Sequence, residues 1–134
     1  MSDDPTNLDY FCAEMAFKLV EMYKAGDLKE AASHVQRSMG VLQEDGLYAY
    51  GIYQTYRKDK GGVLANLLNN FFADHRVHSL FASEPELSQP SPGLQVLLMG
   101  LTRQPLDRLF LGKDLIMRIL VYAYYHLRAK IKED

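Results

Sequence analysis

The sequence predicts an all-α protein, a single compact bundle of about five to seven helices with a long, mostly buried C-terminal helix. Three observations predict it. Apolar residues recur every three to four positions from about residue 8 to residue 132. No segment alternates apolar and polar residues as a half-buried strand does. The last of the periodic segments, about Lys113 to Lys132, is apolar around most of its circumference, as a helix wrapped by others should be.

The elements follow in order. Thr6 with Asp9 reads as a helix start, and Leu8, Phe11, Cys12, Met15, Leu19 and Met22 form a stripe that runs up to Gly26. Asp27 with Glu30 repeats the starting signal. Leu28, Ala31, Ala32, Val35, Met39 and Leu42 make the second stripe, which Gly46 ends with a positive φ. The tight junction at Gly26-Asp27 predicts that these two helices pair as an antiparallel hairpin. A third helix, about Leu47 to Lys58, places Tyr48, Ala49, Ile52, Tyr53 and Tyr56 on one face and Gly51, Gln54 and Lys58 on the other. Gly61-Gly62 is expected to break it. A fourth runs from Val63 to about Ala73, with an extension towards Phe81 left open. Residues 82–93 hold three of the five prolines and read as an exposed loop. A short helix from about Leu94 to Arg103 follows, and Pro105 suits the first turn of the next segment. Residues 1–6 read as a flexible N-terminus to one domain spanning 1–134.

At 134 residues and 48% hydrophobic, the chain is long and apolar enough to bury a core without staples. Cys12 is the only cysteine, so no internal disulfide forms, and on the apolar face of the first helix it reads as a buried, inert thiol. The start is acidic and polar, and no run reaches the ~18 apolar residues of a membrane span. A cytoplasmic protein with no membrane partner is the expectation. The net charge is −2, unlike a strongly basic nucleic-acid binder. The charge is uneven: residues 1–50 hold nine acidic and four basic side chains (−5), and residues 51–134 hold eight and eleven (+3). A polyanion site should therefore draw on the second part.

No catalytic constellation emerges. Gly61-Gly62 follows Lys60 instead of preceding Lys-Ser or Lys-Thr, so it is no phosphate loop. No Gly-x-Ser-x-Gly elbow exists, and Cys12 has no histidine near it in sequence. Asp74-His75-x-x-His78 is the one metal-like cluster, short of the three or four ligands a site needs. A non-enzymatic protein is expected, with no cofactor, no metal and no small-molecule substrate.

Three basic features are left to hold a polyanion. Arg57, Lys58 and Lys60 cluster before Gly61-Gly62, although cations also suit a helix C-terminus. Arg103, Arg108 and Lys113 surround the junction before the last helix. On that helix Asp114, Arg118, Val121, Tyr125, Arg128 and Lys132 share a polar stripe, where Tyr125 offers a ring face between two arginines. Spacing alone favours a solvent-facing stripe over a binding one. Tyr50 points away from the apolar face of its helix and suits a contact with another protein.

Residues 38–58, Ser38-Met-Gly-Val-Leu-Gln-Glu-Asp-Gly-Leu47 followed by Tyr-Ala-Tyr-Gly-Ile-Tyr-Gln-Thr-Tyr-Arg-Lys58, resemble a stretch of the small helical subunit of Cmr-type (type III-B) CRISPR effector complexes. In that family a helix ends in an Asn-Gly-Leu turn and an aromatic-rich helix follows at once; here Asp45-Gly46-Leu47 occupies the turn. The C-terminal layout is also similar, a short helix, then a long Tyr- and Leu-rich one ending in Arg128, Lys130 and Lys132. Met39 stands where the family has proline, which fits a divergent small subunit of a related type III subtype. The resemblance implies a non-catalytic subunit that stacks with copies of itself and with other effector subunits along the guide–target RNA duplex. It would hold the target-strand backbone without reading bases. Mapped onto charge and position, the expected RNA-binding residues are Arg37, Arg57, Lys58, Lys60, Arg108, Lys113, Arg118 and Arg128. The alternative from the residues alone is a helical adaptor or regulator that binds only protein.

Overall fold

In a computed structural model the protein is 88% helical, with no strand among the described residues, which are 7–81, 98 and 100–133. The expected flexible N-terminus at 1–6 and proline-rich loop at 82–93 lie outside them. Among the described residues five α-helices pack together: α1 Leu8–Glu21, α2 Leu28–Tyr56, α3 Lys58–Ala73, α4 His75–His78 and α5 Leu106–Glu133. Residues 100–102, also helical, bring Leu101 into the core.

α5 is the axis of the bundle. Leu115, Ile116, Ile119, Leu120, Ala123 and Leu127 on it are all 2% exposed or less. Burying a Leu or Ile side chain stabilises by about 1.5–3 kcal/mol, so this row anchors the fold. α1 lies parallel to it, because contacts advance together along both: Asp9 with Arg118, Phe17 with His126. The first arm of α2 runs antiparallel, Lys29 lying by Arg128 and Met39 by Met117. α1 and α2 thus run in opposite directions, but they hardly meet; each packs on α5. The expected α1–α2 hairpin is therefore corrected. Both apolar stripes do better against the long apolar row of α5 than against each other.

α2 itself contains the hairpin. Gly46 has φ 93 and ψ −177, the one non-helical residue inside the helix. A straight helix would separate residues 34 and 54 by about 30 Å, yet His34 Nε2 and Gln54 Oε1 are 2.7 Å apart. The chain folds back at Gly46, so 28–45 and 47–56 are two antiparallel arms; the sequence implied the helix end and the positive φ at that glycine, and the fold-back is new.

Two further expectations fail nearby. Gly61-Gly62 does not break a helix: the break is at Arg57, and the glycines lie early in α3. The tyrosine-rich arm is also turned over. Tyr48 and Ile52 are exposed (51% and 41%), whereas Tyr50 and Gln54 are buried (0% and 2%). Tyr50 is thus a core residue and not a surface contact. The cause is a polar network that apolar periodicity does not register. Gln54 donates to Ser38 Oγ at 2.8 Å, Ser38 donates to the His34 carbonyl at 2.8 Å, and His34 stacks on Tyr53 at 5.5 Å. Buried polar groups that satisfy each other tolerate a low-dielectric interior.

α3 ends at Ala73, the expected end, because Asp74 turns extended (ψ 133) and stops it short of Phe81. The Asp74 carboxylate then accepts from the Arg76 backbone N–H and guanidinium at 2.9 and 3.1 Å. That places Arg76 3.9 Å from the centre of the Phe11 ring, itself stacked on Phe71 at 5.1 Å. Gly112 lets α5 close on Leu101, whose side chain would stand 3.1 Å from a Cβ at this position.

Candidate functional site

The two flanks of α5 distribute its polar residues differently. On the α1 flank, Arg118 donates to Asp9 at 2.9 Å and to Asp114 at 3.0 Å, and the Tyr122 hydroxyl donates to the same Asp9 oxygen. The Tyr122 bond, aided by Arg118, holds the Asp9 carboxyl below its ordinary 3.8. Its two carboxylates hold the Arg118 guanidinium in its charged form, Asp114 contributing most. Beneath them Cys12 is fully buried, and burial pushes its thiol up to about 12. The thiol is inert, as the apolar stripe implied.

The α2 flank is open. Near the start of α2, Lys29, Ser33, Gln36, Tyr124 and Arg128 surround a groove of about 240 Å³. Further along, Met39, Gln43, Phe110, Lys113, Met117 and Val121 line one of about 500 Å³, together with Asp114, whose carboxylate is engaged by Arg118. The two share one seam between α2 and α5, with Lys29 and Arg128 at one end and Lys113 towards the other. None of these three is in an ion pair among the described residues. A separate hollow of about 360 Å³, on the outer face of the α2 hairpin, brings Arg37 and Arg57 together beside Glu44, Asp45 and Tyr53.

The eight expected RNA-binding residues therefore fall into five settings. Lys113 and Arg128 share the seam. Arg37 and Arg57 share the hairpin hollow, where two carboxylates offset them. Arg108 is exposed at the start of α5, 3.9 Å from Asp107. Arg118 is engaged by two carboxylates on the α1 flank. Lys58 and Lys60 fall in the first turn of α3, and their side chains lie outside the described ones. The polar stripe of α5 faces solvent as a whole, with Tyr125 68% exposed.

Lys29 is the residue sequence reasoning missed. Its signal was present in the outer face of α2, where Lys29, Ser33 and Gln36 follow helical spacing, but only the docking of α5 sets that face beside Arg128. Of the metal-like cluster, Asp74 is engaged by Arg76, and the side chains of His75 and His78 lie outside the described ones. Among the described residues no three His, Cys, Asp or Glu converge as a metal ion would require. No described helix is long and apolar enough to cross a membrane. Comparison with protein-family models, curated proteins and solved structures gave no match to this chain.

Proposed function

We propose that this chain is a non-catalytic helical subunit of a type III CRISPR ribonucleoprotein effector, acting in the cytoplasm in antiviral defence. It works with other effector subunits and with copies of itself, and needs no cofactor. The α2–α5 seam receives the phosphate backbone of the target strand. The observation that carries this reading is Lys29, Lys113 and Arg128 along one open seam, in no ion pair among the described residues. Tyr124 at that seam adds a ring on which a base can rest. Arg118 is left out of the contact set, since two carboxylates already take its charge. With net charge −2, a single copy binds weakly, and affinity accumulates from repeated copies along one strand.

A second reading rests on a different observation. Phe110, 59% exposed, lines the larger groove with Met39 and Met117, and Leu106, one turn earlier on α5, is 65% exposed. Apolar side chains in such a place favour a protein partner, which is the adaptor alternative.

Isolation of the tagged protein from its host at moderate salt separates the two. Recovery of several larger proteins in fixed ratio with short RNAs of uniform length supports the effector reading, and Lys113→Glu with Arg128→Glu then reduces the RNA retained. Recovery of a single protein partner without nucleic acid rejects that reading in favour of the adaptor.

A further inference from the structure

The reversal inside α2 uses one residue. Antiparallel helices are ordinarily joined by about two to five residues; here residues 28–45 and 47–56 are helical and only Gly46 departs. Its φ 93, ψ −177 lies in a region open essentially to glycine alone. A Cβ at this position would meet nothing within 4 Å. The backbone angles, and not packing, therefore demand glycine. Returning that one residue to helical angles would turn Leu28–Tyr56 into a continuous helix about 43 Å long.

Straightening carries the two arms out of reach of each other. His34, Ser38 and Gln54, each 2% exposed or less, then lose the hydrogen bonds that cross the hairpin. The contacts of α1 and of the first arm with α5 also join residues before Gly46 to residues after it. A second straightened chain offers every one of those partners in the same geometry, as exchange of identical elements between copies requires.

We propose that Gly46 is a single-residue hinge through which two copies exchange their N-terminal halves, α1 with the first arm of α2, to form a dimer built on two continuous helices. The partner is a second copy of this chain, and this inference stands independently of the proposed function.

Gly46→Ala in the full chain tests it. The protein is unfolded in denaturant, refolded at high concentration and sized by chromatography with light scattering. The expected result is a dimer fraction raised about tenfold or more over wild type, because alanine is strained only in the folded-back form. The dimer persists on dilution, and mixes subunits with a differently tagged batch only after unfolding. Gly40→Ala, in the same helix at ordinary angles, refolds as wild type does. A Gly46→Ala protein that stays monomeric, or whose dimer separates on simple dilution, overturns the proposal. Should Gly46→Ala fail to refold, wild type refolded at the highest concentration must give a small dilution-resistant dimer. Insertion of two glycines after Gly46 must abolish it, and absence of that dimer in wild type overturns the proposal.

Discussion

Along α5, the α1 flank and the α2 flank are built from similar side chains and end differently. Towards α1, Arg118 spends its donors on Asp9 and Asp114, and Phe11 is sealed between Phe71 and the Arg76 guanidinium. Towards α2, Lys113 and Arg128 face an open seam and Met39 is only half-buried. The difference teaches that a basic residue's neighbours across the fold, and not its place on a helical wheel, decide whether its charge is available. Arg118 and Arg128 lie on one stripe of one helix. Only the first has a carboxylate waiting on α1.

The largest effect expected from this contrast is at Phe11. Phe11→Ala should cost about 3–5 kcal/mol by urea unfolding, since it empties a core site and removes the ring under Arg76. Met39→Ala, at the edge of an open groove, should cost about 1 kcal/mol, the value of a partly buried side chain. Equal losses at the two positions would break the comparison. Ser38→Ala comes next, at about 1–3 kcal/mol, because it strands the Gln54 amide in the α2 hairpin without its acceptor. The double reversal Lys113→Glu, Arg128→Glu should change stability by no more than about 0.5 kcal/mol, while Arg118→Glu, which sets three acidic groups together, should lower it further.

The smallest effect sharpens the same contrast through pH. The folded-state pKa of Asp9 is depressed, so its contribution to stability is present above the ordinary 3.8 and disappears as pH falls through the depressed value. Thermal unfolding of wild type and Asp9→Asn should differ by a constant margin near neutrality and converge in acid. A margin that persisted below that range would mean the Asp9 charge has no part in closing the α1 flank.

Much of the fold could be read from spacing, because apolar stripes at three- and four-residue intervals specify helices locally. The helix end at Gly46 was legible for the same reason: a glycine following Glu44-Asp45 between two periodic segments marks a break, although not the reversal it makes. The orientation of 47–56 was not. Its buried side includes Gln54, whose partners His34 and Ser38 stand 20 and 16 positions earlier, and a sequence gives no sign that a glutamine will be satisfied. The end of α2 misled through Gly61-Gly62, which read as a breaker although helices tolerate glycine early, where few backbone bonds depend on it. At the candidate site, the helix stripe identified which residues face solvent. It was silent on pairing, since Asp9 and Arg118 are 109 positions apart. Lys29 went unnoticed because its neighbour Arg128 comes from the far end of the chain.

The placement of α1 against α5 also bears on how the chain is made. Cys12 meets the Leu115 carbonyl across 103 positions, and Asp9 meets Tyr122 across 113. At the ~5–20 residues per second of synthesis, α1 leaves the ribosome about 5–20 s before its partner segment exists. During that interval Phe11, Met15, Leu19 and Val20, all core residues in the finished protein, have no surface to bury against on α5. The nascent chain therefore carries α1 without its α5 partner until α5 is made, and the arrival of α5 closes the α1 flank.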